Sequence, residues 1–208
     1  MADARKLRGR QAEAARNDRR VLAAARAVFA EQGFDAPITA VAEQAGVGVG
    51  SLYRRYGGKQ ELLQHVCVLA LEQNLAAARA ALDCADPWES LSGYIRECVG
   101  ISAGAFARIA GHIEATDEMS QLARAVLGAV DQLAGRAHDA GALRPDATTM
   151  DVIWLIEHFG RGFHVEDVSA VRERQLAISL AGLRTTDAGP LGPPTPSAAD
   201  YLARWELA

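Results

Sequence analysis

The chain has 208 residues, 50% hydrophobic and 23% charged, with a net charge of −4. There is enough apolar side chain to fill a core, which excludes a largely disordered chain. No run of about 18 uncharged apolar residues occurs, so no membrane span is expected. The basic N-terminus has no apolar stretch behind it and does not read as a signal peptide. Cys67, Cys84 and Cys98 are an odd set with neither disulfide-framework nor zinc spacing. A reducing cytoplasm is the expected location.

Charge is unevenly spread. Residues 1–59 carry eleven basic and six acidic side chains, and residues 60–208 carry eleven basic and twenty acidic. A basic front with an acidic remainder points to a polyanion partner for the front alone, although a solvated charged face explains it as well.

Residues 4–20 are polar, basic and Ala-rich without a sustained apolar stripe. They read as a flexible arm that becomes helical near Asn17. From Val21 the apolar positions 21, 22, 25, 28 and 29 form one helical face, closed by Gly33 as a left-handed cap. Thr39 is the expected N-cap of a short helix from Ala40 to Ala45, ending at Gly46. A tight Gly-Val-Gly turn leads to a second short helix, Val49 to Tyr56. After Gly57-Gly58 a long helix begins at Lys59 and runs to about Ala81.

The remainder also reads as helix. Pro87 suits the first turn of a helix with the face Trp88, Leu91, Ile95, Cys98 and Ser102. Further helices are expected over 105–112, along Met119 to Leu133 with an end at Gly141, from a capping box at Thr148–Asp151 through Phe159, and over 167–183. No stretch alternates with period two, so the fold class is all-α. A Pro/Gly linker runs through Ala188–Ser197, and Tyr201–Leu207 could dock as one amphipathic turn. The organisation is an arm (1–16), a first helical domain (17–65), a second helical domain (66–184) and a tail (185–208).

Two short helices joined by a Gly-containing turn form a helix-turn-helix. Val47 and Leu52 point inward as its wedge. Val49, Gly50, Ser51, Tyr53, Arg54 and Tyr56 point outward on the second helix, which in such motifs enters the major groove. Val49 and Gly50 permit close approach and contact with a thymine methyl. Ser51, Tyr53, Tyr56 and Lys59 are placed to reach phosphates.

The segment Val-Gly-Val-Gly-Ser-Leu-Tyr-Arg-Arg-Tyr-Gly-Gly-Lys-Gln-Glu-Leu-Leu (47–63) strongly resembles the DNA-binding segment of TetR-family transcriptional repressors. Residues 25–34 and 38–47 extend the match. The resemblance implies a homodimeric all-helical repressor of a palindromic double-stranded operator, with a ligand pocket and a dimer-forming four-helix bundle in its C-terminal domain. Carried across, Thr39 caps its helix and touches phosphate. Val49, Gly50, Ser51 and Arg54 face the groove, and Tyr53, Tyr56 and Lys59 clamp the backbone. Gly48 replaces a frequent Ser or Thr cap, and Gly57-Gly58 departs from the usual pair before the Lys.

In the C-terminal half, Val152, Leu155, Ile156, Phe159 and Phe163 on one helix are candidates for the dimer face. So are Val168, Val171, Leu176, Leu180 and Leu183 on the next. Packing within one chain explains these stripes nearly as well. A pocket for a small hydrophobic or aromatic effector wants apolar walls and a few polar groups. Trp88, Tyr94, Cys98, Phe106, His112, Met119, Trp154 and His158 are the candidates, each with an ordinary core or surface role as the alternative. Neither His112-x-Glu114 nor His158/His164 has metal-ligand spacing. No nucleophile elbow or phosphate-binding loop is present, so neither enzyme activity nor a cofactor is expected. Two rival readings stand beside the repressor: a helical regulator without a small-molecule effector, and a helical enzyme or carrier with a vestigial DNA-binding segment.

Overall fold

The structure is a computed structural model. It describes residues 2–100, 112–160, 169–184, 189–193 and 197–203, with side chains from Asn17 onward, Ser169 excepted. The described residues form nine helices: α1 (Ala2–Gln32), α2 (Ile38–Ala45), α3 (Val49–Tyr56), α4 (Lys59–Leu82), α5 (Pro87–Gly100), α6 (Asp117–Asp139), α7 (Thr149–Gly160), α8 (Ser169–Leu183) and α9 (Ala198–Ala203). The all-α class is what the sequence led one to expect. The helix expected over 105–112 falls outside the described residues except for His112.

Helix starts differ from the sequence reading in three places. First, α1 begins at Ala2 rather than near Asn17. Its first half lacks an apolar stripe, but its Ala, Arg, Gln and Glu residues have high intrinsic helix propensity. Second, α2 is preceded by Pro37 at φ −72°, ψ 144°, with no side-chain cap. Proline presets φ and has no N–H, so the helix opens at Ile38 and Thr39 lies inside its first turn rather than capping it. Third, α9 starts at Ala198, three residues before the expected turn. Ser197 and Asp200 cap it reciprocally, with the Asp200 carboxylate accepting from the Ser197 amide at 3.0 Å and the Asp200 amide donating back at 3.2 Å.

Other termini follow the expected chemistry. Gly33 (φ 75°) and Gly46 (φ 64°) are left-handed. A Cβ on Gly46 would also meet Arg20 Nη2 at 2.8 Å, because that guanidinium donates to the last α2 carbonyl, Ala45, at 2.6 Å. Thr116 caps α6 by accepting from the Met119 amide, and Asp86 accepts from the Glu89 amide in front of α5. The Thr148–Asp151 capping box is present: the Asp151 carboxylate accepts from the Thr148 amide at 2.7 Å and the Asp151 amide donates to Thr148 Oγ1 at 3.3 Å.

Two hydrophobic cores result. The N-terminal one joins Val21, Ala25, Val28 and Phe29 of α1 to Val41 and Ala42 of α2, Leu52 of α3, and Leu62, Leu63, Val66, Cys67 and Ala70 of α4. Ile113 and Met119 also enter it, so its membership runs past the expected boundary at 65/66. The C-terminal core joins Leu75, Ala77 and Ala78 of α4 to α5, α6, α7 and α8. Helices α4 and α6 contribute to both.

The turn between α6 and α7 ties the end of the chain to this second core. Arg144, only 6% exposed, grips Asp146 with two hydrogen bonds of 2.5 and 3.0 Å. It also donates to the carbonyls of Gly182 (3.2 Å) and Gly189 (2.8 Å). Asp146 in turn accepts from the Leu191 amide at 2.7 Å. The Arg144 guanidinium, followed by that amide, holds the Asp146 carboxyl down at about 2.

Candidate nucleic-acid interface

Helix α3 is anchored by two inward side chains. Leu52 is 1% exposed and Tyr56 4%. The inward position of Tyr56 corrects the expectation that it faces outward. It lies one turn below Leu52 on the same helical face, where burial of its ring outweighs exposure of its hydroxyl. That hydroxyl donates to Asp18 Oδ1 at 3.3 Å, and Asp18 also pairs with Arg55. Burial raises the Tyr56 pKa, while the neighbouring Arg55 works against the rise.

The other face is open. Gly50, Ser51, Tyr53 and Arg54 are exposed, with half of Tyr53 accessible, and Val49 is half-buried. No carboxylate lies on α3, and Arg54 and Arg55 sit in its last turn, where they complement the helix dipole. Arg54 donates to Ser51 Oγ at 3.1 Å, which holds the guanidinium along the exposed face. A cavity of about 590 Å³ opens between α1 and α3, lined by Asn17, Asp18, Ser51, Arg54 and Arg55 among others. Asn17 and Arg55 were not among the sequence candidates. Arg55 follows Arg54 on α3 and Asn17 lies on α1, and periodicity alone does not place α1 beside Ser51.

Thr39 is exposed on the first turn of α2, without a cap bond. Lys59 is half-buried, its Nζ 4.4 Å from the Phe34 ring centroid and 5.8 Å from that of Phe29. His112 stacks against the same Phe34 ring at 4.9 Å. The cation of Lys59 is therefore partly engaged by aromatic faces.

The effector candidates separate into three groups. Trp88, Tyr94 and Cys98 lie in the C-terminal core, where Asn74 Oδ1 accepts from the Tyr94 hydroxyl at 2.6 Å and lies 3.6 Å from Cys98 Sγ. Trp154 packs on this core and meets Tyr201 edge-on at 5.8 Å. Asn74 was missed; its signal is a polar residue between the apolar positions Leu71, Leu75 and Ala78. His112 and Met119 belong to the contact with the N-terminal core, not to the group around Tyr94, because the loop before α6 reaches across to α1 and α4. His158 is exposed on the last turn of α7, its ring edge-on to that of the core residue Phe159 at 5.0 Å. Phe106 lies outside the described residues. Among the described residues no three His, Cys, Asp or Glu side chains gather as metal ligands, and no helix is long and apolar enough to cross a membrane.

The family model described as "Bacterial regulatory proteins, tetR family" matches residues 21–66, and the one described as "Transcriptional regulator SbtR-like, C-terminal domain" matches residues 86–185. This chain belongs to the TetR family of transcriptional regulators. Among solved structures it is similar to a TetR transcription regulatory protein from Mycobacterium vanbaalenii, at 28% identity and a TM-score of 0.59, covering 84% of this chain and 99% of that one. A TetR transcriptional regulator from Streptomyces coelicolor is 26% identical with a TM-score of 0.58, covering 81% and 99%. The ketosteroid transcriptional regulator KstR2 of Mycobacterium tuberculosis, at 22% identity and a TM-score of 0.61 over 81% and 96%, shares the fold. No curated protein matches. In this TetR-family regulator the first matched segment contains the whole of α2 and α3 and the start of α4. The second contains α5 to α8 and ends at residue 185, where the tail begins.

Proposed function

We propose that the protein is a homodimeric repressor. Helix α3 reads an operator in the major groove, and a small, mainly apolar effector taken up in the C-terminal core releases it. The observation that carries the reading is the exposed, acid-free face of α3, with Arg54 extended beside Ser51. Arg54 is the group to read guanine, since a guanidinium matches the O6 and N7 acceptors of that base. Tyr53, Ser51 and Thr39 supply hydroxyls for phosphates. Lys59 adds its charge from above Phe34.

Dimerisation is assigned to α8. Val171 and Ile178, two turns apart, are 55% and 56% exposed on one face. Leu176, Leu180 and Leu183, expected to share that role, instead fill the chain's own core. So do Val152, Ile156 and Phe159 of α7.

Release works through the shared helices. Ile113, in the loop before α6, and Met119, in its first turn, sit in the N-terminal core, and Gln64 of α4 donates to the Glu114 carbonyl at 2.9 Å. An effector that repacks the C-terminal core shifts these contacts and favours a spacing of the two α3 helices that misses successive major grooves, about 34–36 Å apart. Selection from random duplexes tests the reading. Retained fragments should converge on an inverted repeat; retention without enrichment overturns it.

A further inference from the structure

The tail returns to the core that the proposed function assigns to the effector. Beyond the tie of Gly189 and Leu191 to Arg144 and Asp146, α9 sets Tyr201 edge-on against Trp154 at an interplanar angle of 89°. Tyr201 packs on the C-terminal core, whose polar floor is the Asn74–Tyr94–Cys98 cluster. We propose that Tyr201 is an internal plug that occupies the effector's place, and that the effector which displaces it is a flat aromatic molecule bearing a hydroxyl group. The inference rests on reading the C-terminal core as the effector site.

Three observations support it. The occupant is itself a phenol, so the place it fills accepts an aromatic ring with one hydroxyl. The seat is closed, with Tyr94 1% exposed and Cys98 fully buried, so entry requires something to leave. The part able to leave is α9. It has six residues and no buried one, with Tyr201 and Leu202 only half-buried, and a helix this short has little stability of its own. Burial pushes the Tyr94 pKa well up, and Cys98 and Tyr201 add to the rise.

Thiol accessibility reads the plug without DNA. Burial pushes Cys98 up to about 12 and Cys67 likewise, so both thiols are covered and protonated, with Cys67 reporting on the N-terminal core. In a full-length Cys84→Ser background, 5,5′-dithiobis(2-nitrobenzoate) should label both slowly. Tyr201→Ala should raise the Cys98 rate about tenfold or more and leave Cys67 unchanged, since only local opening is made easier. Tyr201→Phe should keep the protection. Millimolar 4-methylphenol, the Tyr side chain alone, should restore protection to Tyr201→Ala. An unchanged Cys98 rate, or a rise at Cys98 and Cys67 together, overturns the plug. Should Tyr201→Ala fail to fold, the unsubstituted chain answers: 4-methylphenol should speed hydrogen exchange of the 198–203 amides and not of α3, and no change overturns the proposal. Neither readout involves operator binding, so failure of the repressor reading appears separately, in the duplex selection.

Discussion

Arg54 and Tyr56 are two residues apart in sequence and opposite in role. One extends along an exposed helix face and the other anchors that face from below. Truncating Arg54 to Ala should cost about 1–3 kcal/mol of operator binding and relax the preference at one guanine, as measured by fluorescence anisotropy on single-base operator variants. Equal losses on all variants would assign Arg54 to phosphate instead. The outward residues Gly50, Ser51, Tyr53 and Arg54 were legible in the sequence because the motif fixes their phase on a short helix. Tyr56 was not: a hydroxyl reads as polar until its partner, Asp18 on α1, is placed beside it. Asp146 carries a further residue-scale expectation. Its carboxyl titrates at about 2 against an ordinary 3.8. A depressed native pKa contributes stability above the unfolded value, and the contribution is lost as pH falls from about 4 towards 2. Acid unfolding of Asp146→Asn should accordingly show a shallower pH dependence across that window. An unaltered slope would mean the Arg144 pairing is absent in solution.

Single helices were the most legible feature of the sequence, because the apolar stripes of α4 to α7 leave few alternatives. Their ends were less so. The Thr148–Asp151 box was visible because both partners lie three residues apart in one signal. The Pro37 start was hidden by a better-looking cap at Thr39, and the α1 start by the missing stripe. The verified box gives a direct test. Thr148→Ala removes an exposed cap and should cost about 1 kcal/mol, seen as a melting temperature about 2–4 °C lower. No change would show that the Asp151 carboxylate alone satisfies the helix start.

Packing partners were the least legible, since a stripe states that a face is buried without naming what covers it. Leu176, Leu180 and Leu183 looked fit for a second subunit and fill their own chain's core, while Ile178, absent from the stripe, is left bare. Ile178→Glu should therefore leave the fold intact and shift the protein to monomer in sedimentation velocity, with operator affinity falling in parallel because half-sites are no longer joined. A dimer of undiminished strength would move the interface off α8.

Helices α4 and α6 belong to both cores, with Ile113 and Met119 seated among the residues that support α3. A head cut away at residue 66 would therefore keep the exposed side chains of α3 and lose part of its own foundation. Recombination that joins a foreign sensor to this head has to bring matching side chains at those two positions, so the halves are bound to diverge together.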